Sequence, residues 1–303
     1  MAASFQARLS VWIIKWRVKR RLKGVRDYRI ARRILHPDPY KVPSAVHISP
    51  AQLGGVPGER LEGPSPDNTV LLYLHGGGYL ACSAETHRSV TVFFALQGFR
   101  VLGPDYRLAP ENQSPAAVDD AVAVYRSLLS AGHTSERIVV AGESAGGGLT
   151  LALMLALRTA GIPLPAAAAV FSPWTDLAAT GDSIRTNTDR CAMFSGSDIA
   201  ASALYYLGDN PLASPPFADF AGFPPLIHVC GDEVLRDDST GLAERARAAG
   251  VSVQLKIWPV VPHAWQLAPH LIPEARQSLR ESAAFLRGCV GPRESNKEVM
   301  THA

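Results

Sequence analysis

The chain has 303 residues, of which 47% are hydrophobic, and a net charge of +3. This length suits one large α/β domain with a small accessory lid, so separate domains are not required. The positive charge is local, because residues 1–33 carry eleven Lys/Arg against one acid and the remaining 270 carry 19 against 26. A nucleic-acid-binding protein usually spreads its positive charge over a folded face with groove-reading motifs. The sequence shows no such motif, so we expect no nucleic-acid partner.

The four cysteines, Cys82, Cys191, Cys230 and Cys289, lie far apart and show no metal-ligand spacing. We therefore expect reduced thiols in a cytoplasmic protein. The sequence has no apolar stretch of about eighteen residues, and its N-terminus lacks the uncharged core and cleavage site of a signal peptide. It thus predicts neither secretion nor a membrane span.

Residues 4–33 have the apolar spacing of one amphipathic helix. Its apolar stripe consists of Phe5, Leu9, Trp12, Ile13 and Trp16, and residues 17–23 after it are strongly basic. Two interpretations fit this pattern. A helix with aromatic and basic residues can lie on an anionic membrane surface, or it can form a lid over an active site with its charges solvated.

The middle of the chain predicts a sheet. Short segments around residues 45–49 and 59–62 predict two strands of an antiparallel edge. Six longer apolar runs follow, separated by helical patterns, an alternation that is typical of a mostly parallel sheet with helices on both faces. The runs span residues 69–74, 100–103, 138–141, 167–171, 226–230 and 251–257, and helices are expected near 84–97, 115–131, 149–160, 238–249 and 274–287.

Three glycines follow the first long run, in the motif His75-Gly76-Gly77-Gly78. Glycines after a strand leave backbone N–H groups facing outward, and acyl transfer needs such donors where the carbonyl oxygen becomes negative. A phosphate loop is disfavoured, because no Lys-Ser/Thr pair follows. We expect His75 to organise this loop rather than act as a base. Asp105-Tyr106-Arg107, after the next run, is expected to brace the loop rather than bind substrate.

A second glycine motif, Gly142-Glu143-Ser144-Ala145-Gly146, joins a β-branched run to a helical stretch. Small neighbours let a serine occupy a sharp strand-to-helix turn, where its hydroxyl can act as a nucleophile. The following helix, expected from residue 149, would direct its N-terminal N–H groups towards charge that forms near Ser144. A helix N-cap serine is the structural alternative.

Residues 40–290 resemble the hormone-sensitive-lipase-like branch of the α/β hydrolases, the bacterial family IV esterases. Besides the two glycine motifs, the matching segments are Asp105-Tyr106-Arg107-Leu108-Ala109-Pro110-Glu111, Pro115-Ala116-Ala117-Val118-Asp119-Asp120 and Ser172-Pro173-Trp174-Thr175-Asp176-Leu177. The resemblance implies an α/β-hydrolase fold, with a mostly parallel eight-stranded sheet, helices on both faces and a helical cap.

The resemblance also predicts the organisation of the chain. We expect cap helices at 1–40, a catalytic domain at 41–176 and 221–290, a cap insertion at 177–220 and a tail at 291–303. Because this family builds part of its cap from N-terminal helices, the lid interpretation of residues 4–33 is favoured and no membrane association is expected. A homodimer through the edge strand at 251–257 is a further suggestion of the resemblance.

The resemblance implies a catalytic triad of Ser144, His263 and an acid. His263 lies in a Pro-rich loop beyond the final strand, where the base of this fold belongs. Four carboxylates follow the strand at 226–230, namely Asp232, Glu233, Asp237 and Asp238. Alignment with the family's Asp-Pro-Leu-x-Asp pattern favours Glu233 over Asp232, and Asp237 and Asp238 are expected to cap the next helix. The family usually has Asp where this chain has Glu143 and Glu233.

The implied activity is hydrolysis of carboxylic esters with short to medium acyl chains, through a covalent serine ester. The oxyanion hole would use N–H groups of Gly76, Gly77 or Gly78 together with Ala145, and neither a metal nor a cofactor is expected. An amidase or deacetylase with the same triad is one alternative. A non-catalytic small-molecule receptor of the same fold is another, and the presence of His263 argues against it.

Overall fold

The computed structural model describes residues 3–208 and 219–290. Its strands are β1 (His47–Leu53), β2 (Val56–Glu62), β3 (Val70–Leu74), β4 (Arg100–Pro104), β5 (Ile138–Glu143), β6 (Ala167–Phe171), β7 (Leu226–Gly231) and β8 (Val253–Trp258). They form an eight-stranded sheet in the order β1-β2-β4-β3-β5-β6-β7-β8. β2 is antiparallel to both β1 and β4, and the other neighbouring strands are parallel.

Helices precede the sheet and connect its strands. They are α1 (Phe5–Ile14), α2 (Arg20–Leu22), α3 (Tyr28–Leu35), α4 (Arg88–Leu96), α5 (Ala116–Ser130), α6 (Ala145–Thr159), α7 (Ser183–Thr186), α8 (Gly196–Leu207), α9 (Arg236–Ala248) and α10 (Pro273–Cys289). A π-helical turn, Lys15–Lys19, joins α1 to α2.

Side chains of the central strands alternate between the two faces of the sheet, as the two-residue repeat requires. In β3, Leu72 and Leu74 pack with α5 and α6, whereas Leu71 and Tyr73 pack with α4 and α10. Every residue of β3, β5 and β6 is buried, because helices cover both faces. The predicted mostly parallel sheet with helices on both faces is therefore confirmed.

Some element boundaries differ from the prediction, and two of them have a clear cause in the backbone. The first hairpin is longer, because Gly54 and Gly55 both adopt positive φ and make a tight turn between β1 and β2. Helix α6 begins at Ala145 rather than at residue 149. The low helix propensity of glycine hides this start, but a side chain at Gly146 would put its Cβ 2.0 Å from the carbonyl oxygen of Leu74.

The N-terminal segment is not the single helix predicted for residues 4–33. The helix ends after α2, and Gly24 turns the chain at a φ of +77°. α3 then begins after Asp27, whose carboxylate accepts a hydrogen bond from the backbone N–H of Arg29 (2.8 Å). A glycine and a helix-capping aspartate thus divide the predicted helix.

α1 directs its large apolar side chains away from the protein. It packs through Ala7, which is fully buried, and Ser4 Oγ donates a hydrogen bond to Glu274 at the start of α10 (2.8 Å). By contrast, Phe5 is 74% exposed and Trp12 is 65% exposed. The apolar stripe of α1 therefore does not cover the active site, because the small side of α1 makes the contact with the protein body. The lid interpretation of residues 4–33 as a whole stays a prediction.

Later parts of the N-terminal segment do pack against the region predicted as the cap insertion. Lys19 Nζ donates a hydrogen bond to the carbonyl oxygen of Cys191 (2.9 Å). Tyr205 of α8 donates its hydroxyl hydrogen bond to the carbonyl oxygen of Arg26. These contacts join the π-helical turn and the segment after α2 to α8 and the segment before it.

The division into cap and catalytic domain stays a prediction. The predicted tail at 291–303, and residues 209–218 of the predicted cap insertion, lie outside the described residues. Among the helices that the structure describes, none combines the length and the hydropathy that a bilayer crossing requires. All four cysteines are free thiols, and the cytoplasmic location inferred from them stays an expectation.

Candidate active site

Ser144 is the single residue between β5 and α6, and its backbone is strained. Its φ and ψ are 53° and −122°, a conformation that non-glycine residues rarely adopt and that costs on the order of 1–3 kcal/mol. Hydrogen bonds hold it there: its N–H donates to the carbonyl oxygen of Phe171 (2.9 Å), and its carbonyl oxygen accepts from the N–H of Trp174 (2.8 Å). Glycine at 142 is required, because a Cβ there would lie 2.3 Å from the carbonyl oxygen of Gly146.

Gly77 and Gly78 form the loop that faces Ser144 across a cavity, and all three residues line it. Both glycines have positive φ, at 109° and 65°. Within the described residues, neither backbone N–H takes part in a hydrogen bond. The N–H of Ala145 also lacks an intrahelical acceptor, because Ala145 is the first residue of α6. These three N–H groups are the donors that an oxyanion could use.

Gly76 differs from Gly77 and Gly78, because its N–H lies 3.3 Å from Nε2 of buried His87. Its place in the oxyanion hole stays a prediction. The position still requires glycine, because a Cβ on Gly76 would lie 1.9 Å from Oε1 of Glu143. Gly76 therefore allows a buried carboxylate to approach the loop closely.

The sequence reasoning missed His87 altogether. Its Nε2 lies 2.7 Å from Oε1 of Glu143, and both side chains are almost fully buried. Burial alone would raise the pKa of Glu143, but the hydrogen bond and charge of His87 outweigh burial, so this pKa is lowered. The pair lies directly below the glycine loop and next to Ser144 in sequence. In the sequence, the one sign of this pair was Glu143 in place of the family's usual Asp. A glutamate side chain is longer and can reach a partner that lies farther away.

His75 has the predicted role of organising the loop. Its Nδ1 lies 2.7 Å from the carbonyl oxygen of Gly76, and its ring stacks on Tyr106 with centroids 4.2 Å apart. Burial, and next the charge of His87, lower the pKa of His75 to about 3. The imidazole is therefore neutral, and a group with so low a pKa is a poor base near neutral pH.

Of the three residues Asp105-Tyr106-Arg107, Tyr106 makes the predicted bracing contact with the glycine loop. Tyr106 donates its hydroxyl hydrogen bond to the carbonyl oxygen of His75 (2.6 Å). Asp105 accepts one from the N–H of Ala84, just before the turn that carries His87 (2.7 Å). Arg107 forms an ion pair with Asp120 of α5 (2.8 Å). Tyr106 thus fixes the start of the glycine loop, whereas Asp105 and Arg107 fix the segment after β4 to its surroundings.

Glu233 and His263 meet in the protein interior. The Oε1 of Glu233 lies 3.2 Å from Nδ1 of His263, and these side chains are 1% and 2% exposed. Burial alone would lower the pKa of His263, but the charge and hydrogen bond of Glu233 outweigh it, so this pKa is raised. The other ring nitrogen, Nε2, is buried without a hydrogen-bond partner in the described part of the chain. This arrangement leaves one nitrogen of an oriented imidazole available for a proton.

The remaining carboxylates of this loop have other partners. Asp232 forms ion pairs with Arg190 and Arg236, both at 3.1 Å. Asp237 and Asp238 lie in the first turn of α9, but neither caps it, so the capping prediction is wrong. Their carboxylates instead accept hydrogen bonds from backbone N–H groups of the segment after β6.

The cavity beside Ser144 has a volume of about 60 Å³. Residues of the N-terminal segment and of the predicted cap insertion form most of its wall, with Leu22, Val25, Tyr28, Ala31, Leu35, Phe194, Ile199 and Tyr205 beside the charged Arg26, Asp27 and Asp198. Phe194 also packs edge-on against the His263 ring, with centroids 5.3 Å apart. An apolar wall opposite a set of free N–H donors suits a small uncharged acyl group.

A sequence profile of the α/β-hydrolase fold family matches residues 71–267, so the chain belongs to this family. A solved esterase of the bacterial hormone-sensitive lipase family is similar, with a TM-score of 0.89 and 40% identity over 96% of this chain and 100% of that one. An acetyl-hydrolase of Streptomyces hygroscopicus is 43% identical over 74% of this chain and 77% of its own length. An esterase of Acinetobacter venetianus is 34% identical over 79% and 82%. These relatives confirm the resemblance to the hormone-sensitive-lipase-like esterases.

Proposed function

We propose that this protein hydrolyses short-chain carboxylic esters, with Ser144 as nucleophile, His263 as general base and Glu233 as the acid that orients it. Ester hydrolysis is the activity of this family, and the similarity to named esterases makes the protein a carboxylic ester hydrolase. The observation that carries the residue roles is the buried contact between Glu233 and His263, with Nε2 of His263 left without a partner among the described residues.

The proposed reaction has two steps. Ser144 Oγ attacks the ester carbonyl carbon while Nε2 of His263 takes its proton, and the carbonyl oxygen becomes negative. When the tetrahedral intermediate collapses, the bond to the alcohol breaks and His263 returns the proton to the departing alcohol. Water then attacks the acyl-serine in the same way, which releases the carboxylic acid and restores the Ser144 hydroxyl. No step requires a metal or cofactor.

Gly77, Gly78 and Ala145 are the proposed oxyanion donors. Their N–H groups belong to backbone that is already fixed, so no reorganisation is needed when charge forms on the oxygen. Loss of one such donor typically raises the barrier by about 3 kcal/mol. Ala145 adds the positive end of the α6 dipole, which favours negative charge at the same position.

The size of the cavity supports the short-chain part of the proposal. A volume of about 60 Å³ holds roughly four to six water-sized groups at about 10–15 Å³ each. An acetyl or butyryl group fits this space, whereas a medium chain would require the cap wall to move. The acetyl-hydrolase among the relatives is named for an acyl group of this size.

Steady-state kinetics on p-nitrophenyl esters from acetate to dodecanoate test this proposal, with p-nitroacetanilide as the amide control and Ser144→Ala as the blank. We expect kcat/KM to be highest for acetate or butyrate and the anilide to be inert. An optimum at octanoate or longer would contradict the short-chain assignment. Comparable cleavage of the anilide would favour the amidase alternative, and absence of turnover with a bound ester would favour the receptor alternative.

A homodimer through β8 and a cytoplasmic location remain proposals. β8 is an edge of the sheet, and Ile257 on it is 44% exposed, so its outer backbone groups can pair with another strand. Light scattering should give a dimer for the wild type and a monomer for Ile257→Lys, and a monomeric wild type would contradict the dimer. The location is supported by the four free thiols.

A further inference from the structure

α1 and the turn after it carry an exposed apolar stripe, which we define as Phe5, Leu9, Trp12 and Trp16. These side chains are 74%, 42%, 65% and 59% exposed. Intervals of four, three and four residues place them on one side of the helix. Single exposed hydrophobic residues are ordinary, but a contiguous patch marks an interaction site. The stripe holds four of the nine large hydrophobic side chains exposed in the described chain.

Positive charge surrounds this stripe. Eight cationic side chains of residues 3–33 are exposed: Arg8, Arg17, Arg20, Arg21, Lys23, Arg26, Arg29 and Arg33. None forms an ion pair with a described residue, whereas half-buried Arg32 pairs with Glu111. The 270 residues after this segment carry 19 Lys/Arg against 26 acids. The protein therefore has a cationic N-terminal face on an anionic body, and an anionic surface would orient it with that face inward.

We propose that the stripe and its eight cations dock the protein onto an anionic lipid surface. Tryptophan beside Lys/Arg is the side-chain combination that the headgroup region of a bilayer accommodates, with rings in the apolar boundary and cations at the anionic headgroups. A nucleic acid would use the cations but leave four apolar side chains in water. A second copy of this chain would cover the stripe but would bring two cationic faces together, which like charges oppose.

The docked orientation has a consequence for the active site. The chain continues from the stripe into Leu22, Val25 and Tyr28, which line the cavity that reaches Ser144. The wall of the cavity and the docking face are thus parts of one segment. Docking therefore places that wall at the lipid surface, where apolar esters concentrate.

Vesicle binding of the full-length protein tests the docking directly. The probes are phosphatidylcholine vesicles with and without about a third phosphatidylserine, read out by co-sedimentation and tryptophan emission. The emission is informative because Trp174, Trp258 and Trp265 are buried, so Trp12 and Trp16 dominate any change of environment. We expect binding and a blue shift with the anionic vesicles, and weaker binding as salt shortens the Debye length from about 10 Å to about 3 Å.

Matched variants separate the stripe and the charges from general surface effects. Trp12→Ser with Trp16→Ser should weaken binding to anionic vesicles at least about tenfold, whereas Leu96→Ser with Leu271→Ser, which changes two leucines exposed elsewhere on the protein, should not. Arg17→Gln, Arg20→Gln and Arg21→Gln together should weaken it about a hundredfold, at about fivefold for each cation. The control for charge is Arg126→Gln, Arg245→Gln and Arg280→Gln, which removes the same charge from exposed positions outside the segment.

Three outcomes would overturn the proposal: equal weakening by the control variants, unchanged binding in the tryptophan variant, or a solution dimer that Trp12→Ser with Trp16→Ser dissociates. The last would make the stripe an interface between copies. The docking is independent of the proposed catalytic residues, because binding is measured without turnover. Hydrolysis of soluble p-nitrophenyl acetate by these variants should stay within about twofold of the wild type, since none of the substituted residues lines the cavity.

Discussion

The carboxyl edge of the sheet and the predicted cap both face the cavity, but different kinds of contact hold the Ser144 turn and the cap. At the Ser144 turn, backbone packs against backbone, because a Cβ on Gly146 would lie 2.0 Å from the carbonyl oxygen of Leu74. In the cap, side chains reach across, as when Lys19 donates to Cys191 and Tyr205 to Arg26. Close backbone packing leaves no room for adjustment, whereas side-chain bonds can be removed singly. The edge should therefore control the rate of the reaction and the cap its selectivity.

The largest effect is expected for Ser144→Ala. Removal of the nucleophile should lower kcat on the order of 10⁵-fold or more. The strained backbone at position 144 remains, and alanine meets the same steric limits as serine, so the melting temperature should change little. Turnover of p-nitrophenyl butyrate and thermal unfolding measure the two quantities. A variant that keeps a tenth of the wild-type kcat would refute Ser144 as the nucleophile.

The next largest effect distinguishes two adjacent carboxylates. Glu233→Gln should lower kcat up to about 10⁴-fold, because it removes the charge that orients and stabilises the His263 imidazolium. Asp232→Asn is the matched control, since Asp232 pairs with Arg190 and Arg236 instead. Its kcat should stay near the wild-type value. Loss of activity in the Asp232 variant with retention in the Glu233 variant would reverse the assignment.

The pH profile provides a second measurement of the same pair. A base must be neutral to accept a proton, so wild-type kcat/KM should rise with pH through the raised pKa of His263. Removing the Glu233 charge lowers that pKa, and the residual activity of Glu233→Gln should persist to lower pH. The contribution of this charged pair to folding stability changes with pH in the opposite direction to the activity. It is present below the unfolded pKa of histidine and is lost as pH rises through the folded pKa.

A smaller effect is expected below the glycine loop. Glu143→Gln should lower kcat about 10- to 100-fold with little change in KM, because Glu143 fixes the His87 ring, which lies against the backbone of Gly76 in the glycine loop. Glu143→Asp should retain more kcat than Glu143→Gln if the charge of the side chain matters more than its length. Glu85→Gln, an exposed acid in the same turn as His87, is the control. An unchanged kcat in Glu143→Gln would show that the pair is only structural.

Much of the carboxyl edge of the sheet could be predicted from the sequence, because strands and tight turns require particular residue types at neighbouring positions. The strand-helix alternation gave the sheet, and the two glycine motifs marked the loop and the turn at Ser144. Gly76 could not be distinguished from Gly77 and Gly78 in this way. The difference depends on His87, whose side chain reaches Gly76 from a separate turn and whose partner Glu143 comes from β5. Such a contact between distant segments has no periodicity to detect.

The N-terminal segment shows a different limit. An amphipathic pattern indicates that the two sides of a helix differ, but it does not predict which side will pack against the rest of the protein. In α1 the side that carries Ala7 packs against the protein, and the side that carries Trp12 is exposed. The contact with α10 therefore involves a small side chain and not the large apolar ones. Gly24 could have indicated the break in the helix, but a single glycine within a helical pattern is often tolerated, so the break was not predicted.

The smallest effect is expected in the cap, at Arg32 of α3. Its guanidinium donates hydrogen bonds to the carbonyl oxygen of Ala109 (2.9 Å) and to both carboxylate oxygens of Glu111, and it thereby holds one wall of the cavity. The ion pair is largely exposed, with Glu111 47% exposed, so Arg32→Gln should cost only about 1 kcal/mol of stability. The main result should be a change in selectivity. A looser wall should raise the ratio of kcat/KM for hexanoate over acetate several-fold, while kcat for acetate changes less than about twofold.

Arg33→Gln is the control for Arg32→Gln, because exposed Arg33 bonds only the backbone of its own helix. Arg32 lowers the pKa of Glu111 to about 2. Stability from this pair is therefore complete above the usual glutamate pKa and is lost as pH falls towards 2. The difference in melting temperature between the wild type and Arg32→Gln should be constant from pH 8 to about pH 5 and should shrink below about pH 4. An unchanged acyl-chain profile in Arg32→Gln, with the stability loss present, would mean that α3 does not control selectivity, and the contrast between edge and cap would then fail at this wall.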